Sequence, residues 1–418
     1  MKGLRKYLTP FAPDQSGAVS VLYELGGMLV ICDAGGCTGN VCGFDEPRWF
    51  EMRSAVFSAG LRDMDAILGR DDRLVAKLAD ACEKLDVTFA AVIGTPVPAV
   101  IGTDYRALDR MLQKKTDLPV LTVNTDGMEL YDKGEEKAYL TLFQKFADAV
   151  SSEKNSQETE EKETDHQDAA DEKTDIRNVS EDIEDDIEEK RIGIIGMTPQ
   201  DVSDLNAADK IRKLYKEQGI RAVCYGMGDG LKEVQRAGSV VKNIVVSPAA
   251  LKAAQYLEKK FGTPYEVTYP LAAELVPELE YNGKKILIVQ QQVIAGAVRE
   301  EIVRRIEAFP DAGGKAQAER TADITTATWF MIKKECERTG VGERENLQIK
   351  ETISLKEEED FINLVEKENY DMIFADPCME KMIPEYEGTF IPLTHFAVSG
   401  KLNKHESVCE EKVAEKKR

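Results

Sequence analysis

The chain has 418 residues, enough for two or three domains and a large buried core. Hydrophobic residues make up 42% and charged residues 31%, the balance of a mostly globular protein. The 76 acidic against 55 basic residues give a formal net charge of -21, which excludes a general nucleic-acid binder, because that function needs a basic surface to displace counterions from phosphates.

No apolar run approaches the ~20 residues a membrane helix needs. The N-terminus carries positive charge with no apolar stretch behind it, so no signal peptide is expected, and the expected compartment is the cytoplasm. Eight cysteines in so long a chain are too sparse for a disulfide scaffold. In a reducing compartment, clustered cysteines read instead as metal ligands or redox groups.

Residues 1–150 read as a first α/β domain. Met28 to Ile31 is a short apolar strand running into Cys32. Asp71 to Leu85 is a helix, with Leu74, Val75, Leu78, Ala81, Cys82 and Leu85 on one face. Phe89 to Ile93 and Leu118 to Val123 are buried strands. This alternation implies a parallel sheet with helices on both faces.

Residues 151–190 stand apart, with 17 acidic and 5 basic side chains, a net charge of 5 − 17 = −12. The segment has no aromatic residue and four branched aliphatics, too little apolar surface to offset the entropy of ordering, and reads as a disordered linker. A partner-binding acidic tract is the sharper alternative.

The alternation restarts over 191–283. Ile192 to Gly196 is a strand, Ala207 to Gln218 a helix closed by Gly219, and Ile220 to Tyr225 the next strand. Asn243 to Val246, a helix from Ala249 to Lys260 and Tyr265 to Thr268 complete a Rossmann-like unit. A third unit, 284–400, runs through the strand Ile286 to Val289, the helix Ala297 to Phe309 and the strand Met372 to Ala375, closing with the strand Thr389 to Val398. Residues 401–418 form a polar tail.

The sharpest chemical feature is Cys32-Asp-Ala-Gly-Gly-Cys37-Thr-Gly-Asn-Val-Cys42, three thiols in a glycine-rich loop just after a strand. Thiolates suit iron–sulfur clusters, zinc or copper(I), and glycines allow tight turns and offer N–H groups to cluster sulfides. A redox-sensing disulfide loop and three unrelated buried thiols are the other readings. Cys82 and Cys224 read as core residues, and Cys336 and Cys409 as exposed and incidental. Cys378 lies just past a strand end, where α/β proteins place their sites. Of three histidines, His166 is in the linker and His405 in the tail; His395, in the last strand, is a site candidate or a core residue. Gly226, Gly228 and Gly230 follow a strand with the spacing of a plain turn rather than a dinucleotide fingerprint. No phosphate-binding P-loop occurs, so no nucleotide is expected on this chain.

Taken in order, the strand into Gly36-Cys37, the stretch Ser58-Ala-Gly-Leu-Arg-Asp-Met-Asp-Ala-Ile-Leu-Gly69 and Ile93-Gly-Thr-Pro-Val-Pro-Ala-Val-Ile-Gly102-Thr-Asp104 resemble the nitrogenase component 1 family. That family comprises molybdenum-iron protein subunits, cofactor-assembly scaffolds and the catalytic subunits of dark-operative protochlorophyllide reductase. Ile192-Gly-Ile-Ile-Gly196, Gly226-Met-Gly-Asp-Gly230 and Asn243-Ile-Val-Val-Ser247 fall where the family has its second-domain strands.

The resemblance implies three Rossmann-like parallel-sheet domains and pairing as a homodimer or with a paralogous subunit. It implies an iron–sulfur cluster, 4Fe–4S or larger, near the subunit interface. It also implies a separate P-loop ATPase iron protein as reductase and a small-molecule substrate. Cys37 matches the middle of the family's three cluster cysteines; Pro13 and Pro96 align with the others, and Cys32 and Cys42 flank Cys37 as replacements. Ser247 stands where the catalytic nitrogenase subunit holds its large cofactor by a cysteine, which implies neither that cofactor nor nitrogen reduction here. A cluster-assembly scaffold and a cluster-free binding module are the alternative functions.

Overall fold

The structure, a computed structural model, describes residues 5–62, 71–148, 190–308, 321–337 and 347–403. The acidic segment up to residue 189, His166, His405 and Cys409 lie outside the described residues. Among the described residues no helix is long and apolar enough to cross a membrane.

Three sheets carry the architecture, and every strand pairing in them is parallel. The first has the order β2-β1-β3-β4, from β1 (Met28–Ile31), β2 (Ala55–Ser58), β3 (Ala90–Ile93) and β4 (Val120–Val123). The second has the order β6-β5-β7-β8, from β5 (Arg191–Ile195), β6 (Arg221–Tyr225), β7 (Lys242–Val245) and β8 (Tyr265–Val267). The third has the order β11-β10-β9-β13-β14, from β9 (Lys285–Val289), β10 (Ala322–Thr328), β11 (Leu347–Ile349), β13 (Met372–Ala375) and β14 (Thr389–Pro392), with the short β12 (Ile353–Ser354) on β10. Each order reverses once: between β1 and β3, between β5 and β7, and between β9 and β13. Such reversals open a crevice at the carboxyl ends of the strands, where this class of sheet binds ligands.

The central strands are buried on both faces, hence their uninterrupted Val, Ile, Leu and Ala runs. The first sheet separates two cores. Met28, Val30, Ala90 and Val92 face the helix Asp71–Lys84, whereas Leu29, Ile31, Ala91 and Ile93 face α1 (Asp14–Leu22) and α5 (Tyr131–Phe146). Helix α5 also packs on the second sheet, so its core joins the two sheets. α1 and α5 meet backbone to backbone. A Cβ at Gly17 would strike the Tyr131 carbonyl, and one at Gly134 the Asp14 carbonyl.

Two ties cross between sheets. Arg48 is fully buried and donates to both carboxylate oxygens of Glu46 (each 2.7 Å), to Glu24 (2.6 Å), to the Ser20 carbonyl (2.7 Å) and to the Gly226 carbonyl at the end of β6 (2.8 Å). The N-terminal strap lies on the third sheet's side: the N–H groups of Lys6, Tyr7 and Leu8 donate to the Glu358 carboxylate at 2.8–2.9 Å, and Phe11 packs on Phe330 with ring centroids 4.9 Å apart.

Several sequence expectations need correction. The run Thr389 to Val398 is not one strand: β14 ends at Pro392, and His395 is the N-cap of a short helix, Phe396–Ser399. Cys336 is not exposed; a 3-10 turn tucks it against Leu251 and Val293 at 4% exposure. The helix expected from Ala297 begins at Gln292, because the buried glutamines there serve as its first turn.

Candidate functional site

The loop after β1 and the loop after β3 flank the crevice of the first sheet. Gly35, at φ +118°, turns the chain out of β1 into a short helix, α2 (Gly36–Asn40), which continues as a π-turn over Val41–Asp45. Asp33 pins this turn: its carboxylate accepts from the Thr38 N–H (2.8 Å), the Thr38 hydroxyl (3.0 Å) and the Ser58 hydroxyl (2.6 Å). A Cβ at Gly35, Gly36, Gly39 or Gly43 would meet nothing within 4 Å, so one side of the loop is open.

The three thiols do not converge. Cys32 continues the alternation of Met28 and Val30, so its side chain enters the core under the helix Asp71–Lys84 and is 1% exposed. Cys37 and Cys42 are half-buried and pack on the core of the opposite face. Among the described residues no three His, Cys, Asp or Glu side chains are placed to hold one metal ion. Burial pushes the Cys32 thiol up to about 12, and Cys37 and Cys42 are raised by burial and then by Asp33 and Glu46 respectively. A metal bound there would displace thiol protons.

Cys37 lies beside the Thr95 hydroxyl, whose hydrogen bond to the Cys32 carbonyl (2.7 Å) joins the two loops. Pro96 follows as the first residue of α4 (Pro96–Ile101), and Gly127 is so close to its ring that a Cβ would strike it. Gly127 N–H donates to Asp14 at 2.7 Å, and Pro13 caps α1 next to it. The two prolines thus occupy the neighbourhood of Cys37 and supply no ligand. The segments that carry Pro96 and Gly127 also expose Val100 (86%) and Met128 (83%), and Phe44 (76%) and Phe50 (75%) are exposed at the large cleft described below.

Cys37 and Cys42 therefore lie against the same core on an open glycine-rich turn, and the arrangement does not fit a three-thiolate site that includes Cys32.

A second constellation lies where the crevices of the second and third sheets meet α5. It includes Asp201, on the short helix Pro199–Val202 after β5, with Ser247 after β7, His395, and Tyr131 and Glu135 from α5. The Tyr131 hydroxyl donates to Asp201 Oδ1 (2.5 Å) and lies 3.4 Å from His395 Nε2, which is 3.9 Å from Asp201 Oδ1. Thr198 donates to Glu135 Oε1 at 2.6 Å. All of these groups are 0–2% exposed. Burial pushes His395 down to about 3 and Asp201 up to about 6, and raises Glu135 well above its usual range with Asp201 adding to the effect. Ser247, where the resemblance places a cofactor cysteine, is packed beside Asp201. Above this network a cleft of about 1320 Å³ is lined by Asp201, Lys210, Gln290, Thr394, Phe396 and Lys401, among others.

Cys378 does not join either constellation through its thiol. The Asp376 carboxylate accepts from the Cys378 N–H (2.9 Å), the His395 N–H (2.9 Å) and the Ser399 hydroxyl (2.8 Å), and burial with Asp376 raises the thiol strongly. Sequence reasoning missed Tyr131, Glu135 and Asp201, which stand singly in unremarkable contexts. It also missed the separation of Cys32, for which the two-residue period of β1 was the available signal.

A comparison with curated proteins finds no matching sequence. Among solved structures, "Nitrogenase Cp1 at pH 6.5" is similar at 12% identity with a TM-score of 0.63, covering 97% of this chain and 89% of that one. "Nitrogenase Cp1 at pH 5" is similar at 14% identity with a TM-score of 0.59, covering 95% and 85%. These identities speak to the fold alone. The family described as nitrogenase component 1 type oxidoreductase matches residues 14–273, well over half of the chain, and takes in both the cysteine loop and the second sheet. The chain belongs to the nitrogenase component 1 type oxidoreductase family.

Proposed function

We propose that the chain is the redox subunit of a two-component system, taking low-potential electrons from a separate ATP-dependent iron protein and passing them to a small molecule. An iron–sulfur cluster, when bound, would supply the one-electron chemistry, and Cys37 and Cys42 would hold it. The observation that carries this reading is the placement of Cys37 at the crevice between β1 and β3, beside Thr95, with Cys42 on the same face. Two thiolates do not complete a 4Fe–4S site, which takes four. The remaining ligands come from a second chain, a copy or a paralogue, seated over the exposed Val100 and Met128 beside the cysteine loop. The reductase is a separate protein because this chain has no P-loop of its own.

The chain's residues have clear parts in this scheme. Asp33 and Thr95 fix the turn that presents the thiols. Ser247 and the packed network around Asp201 argue against a large cysteine-held cofactor at the domain junction. They leave the cleft beside it for the substrate.

The test is iron and acid-labile sulfide on anaerobically purified full-length protein, with molar mass by light scattering. Cys37→Ser and Cys42→Ser each lose the iron, and Cys32→Ser keeps it, at about two irons per chain in a dimer sharing one 4Fe–4S cluster. Iron that depends on Cys32, or iron retained without Cys37 and Cys42, refutes the ligand set. No iron after chemical reconstitution favours the second reading, a ligand-binding module. That reading draws on the prolines at positions 13 and 96 and the separation of Cys32.

A further inference from the structure

Glu135 and Asp201 present an electrostatic problem that the fold leaves open. Both are fully buried. Among the described residues neither forms an ion pair with a lysine or arginine; the Arg48 guanidinium, which acts on Glu135 through space, is taken up by Glu46 and Glu24. His395, 3.9 Å from Asp201, is kept neutral by its own burial. Asp132 adds a further carboxyl nearby, and Tyr139 a buried phenol. Each carboxyl has one oxygen satisfied, Glu135 Oε1 by Thr198 and Asp201 Oδ1 by Tyr131. The other oxygens, Glu135 Oε2 and Asp201 Oδ2, have no hydrogen-bond partner within ordinary distance, although the Ser247 hydroxyl beside Asp201 favours its charged form.

Two ionised carboxylates buried without a cation cost several kcal/mol each. A proton held on one of the two carboxyls removes one of the two buried charges. Asp201 also lines the large cleft, together with Lys210, Gln290 and Lys401.

We propose that Glu135 and Asp201 hold one proton between them and form a proton-donor site beneath the cleft, serving a small organic molecule bound there that takes up protons as it is reduced. In the transfer an O–H bond of the pair breaks and a bond from hydrogen to the ligand forms. The pair is left dianionic, held by the Tyr131 and Thr198 hydroxyls, and takes a replacement proton from water. The electrons come from the iron protein. The proton site stands without the redox reading of the chain, whereas its use in a reduction rests on that reading.

The two are tested separately. Infrared spectra of the full chain without iron are recorded at neutral pH, in water and in heavy water, for the wild type, Glu135→Gln and Asp201→Asn. The wild type shows a carboxylic-acid carbonyl band that shifts in heavy water, and either substitution removes it. Absence of such a band from the wild type, or its survival in both variants, overturns the proposal. Should either variant fail to fold, Thr198→Val, which removes only the hydroxyl on Glu135, must shift the band; an unchanged band there overturns it too. Access from the cleft is read from the exchange half-time of the band. Asn206→Trp at the rim slows it severalfold, and an unaltered half-time overturns the cleft assignment. Iron without the band sinks this proposal and leaves the cluster reading intact; the band without iron does the reverse.

Discussion

Replacing Arg48 with methionine tests the tie between the cysteine loop and the second sheet. The substitution keeps much of the side-chain volume and removes the guanidinium from between two carboxylates. Glu46, 2% exposed, loses both of its short contacts, Glu24 loses a 2.6 Å one, and the carbonyls of Ser20 and Gly226 lose their donors. Breaking a buried pair by removing one partner costs about 3–5 kcal/mol, because the charge left behind is uncompensated. Loss of the guanidinium over the Tyr23 ring, 4.7 Å from its centroid, adds roughly 1 kcal/mol. The sum is a large share of the ~5–15 kcal/mol that holds a typical protein folded. Urea unfolding followed by fluorescence and circular dichroism measures it, and the loss is nearly independent of salt because the charges are buried. Adding Glu46→Gln and Glu24→Gln restores a substantial part, since the penalty resides in the orphaned charges. A loss below about 1 kcal/mol, or no recovery in the triple variant, refutes the reasoning.

Gly134→Ala forces α1 and α5 apart where a Cβ has no room, and should cost at least about 1–3 kcal/mol by the same unfolding assay, against a near-neutral change at the open Gly39. Stability against pH separates the buried groups by sign. His395 is depressed to about 3, so its contribution is present above its unfolded value of ~6.5 and is lost as pH falls from there towards 3. Asp201 is raised to about 6, so its contribution is present below ~3.8 and is lost as pH rises through 6. Thermal melts from pH 4 to 7 should therefore show His395→Gln flattening the acid-side loss and Asp201→Asn steepening it; the same direction in both would contradict these assignments. In iron-free native protein, alkylation read by mass spectrometry should label Cys37 and Cys42 while sparing Cys32, Cys224 and Cys336, which are 0–4% exposed.

The sheets were legible where strands are short apolar runs bounded by turn residues, as at Met28–Ile31 and Met372–Ala375. Two helices at the heart of the molecule were not. α1, DQSGAVSVL, is buried all round and has no amphipathic contrast to read. α5 carries Asp132, Glu135 and Glu136 on positions that look like a solvent face and are buried against other units. Thr389 to Val398 is apolar with no internal period, so the stop of β14 at Pro392 and the capping position of His395 could not be told from a longer strand. The cysteine loop was found by its composition. Which thiols share a face depended on strand phase, and Cys32 follows Met28 and Val30 rather than its neighbours in the loop.

The strap of Lys6 to Leu8 has a consequence for the order in which the protein is assembled. Lys6, Tyr7 and Leu8 reach Glu358, a partner about 350 residues later in the sequence. On the ribosome, where synthesis runs at ~5–20 residues per second, the strap emerges tens of seconds before its acceptor. The first sheet must therefore assemble with its leading segment undocked, exposing Tyr7, Leu8 and Phe11 until the third sheet is complete. Fragments ending before Glu358 lack the carboxylate that ties down Lys6, Tyr7 and Leu8.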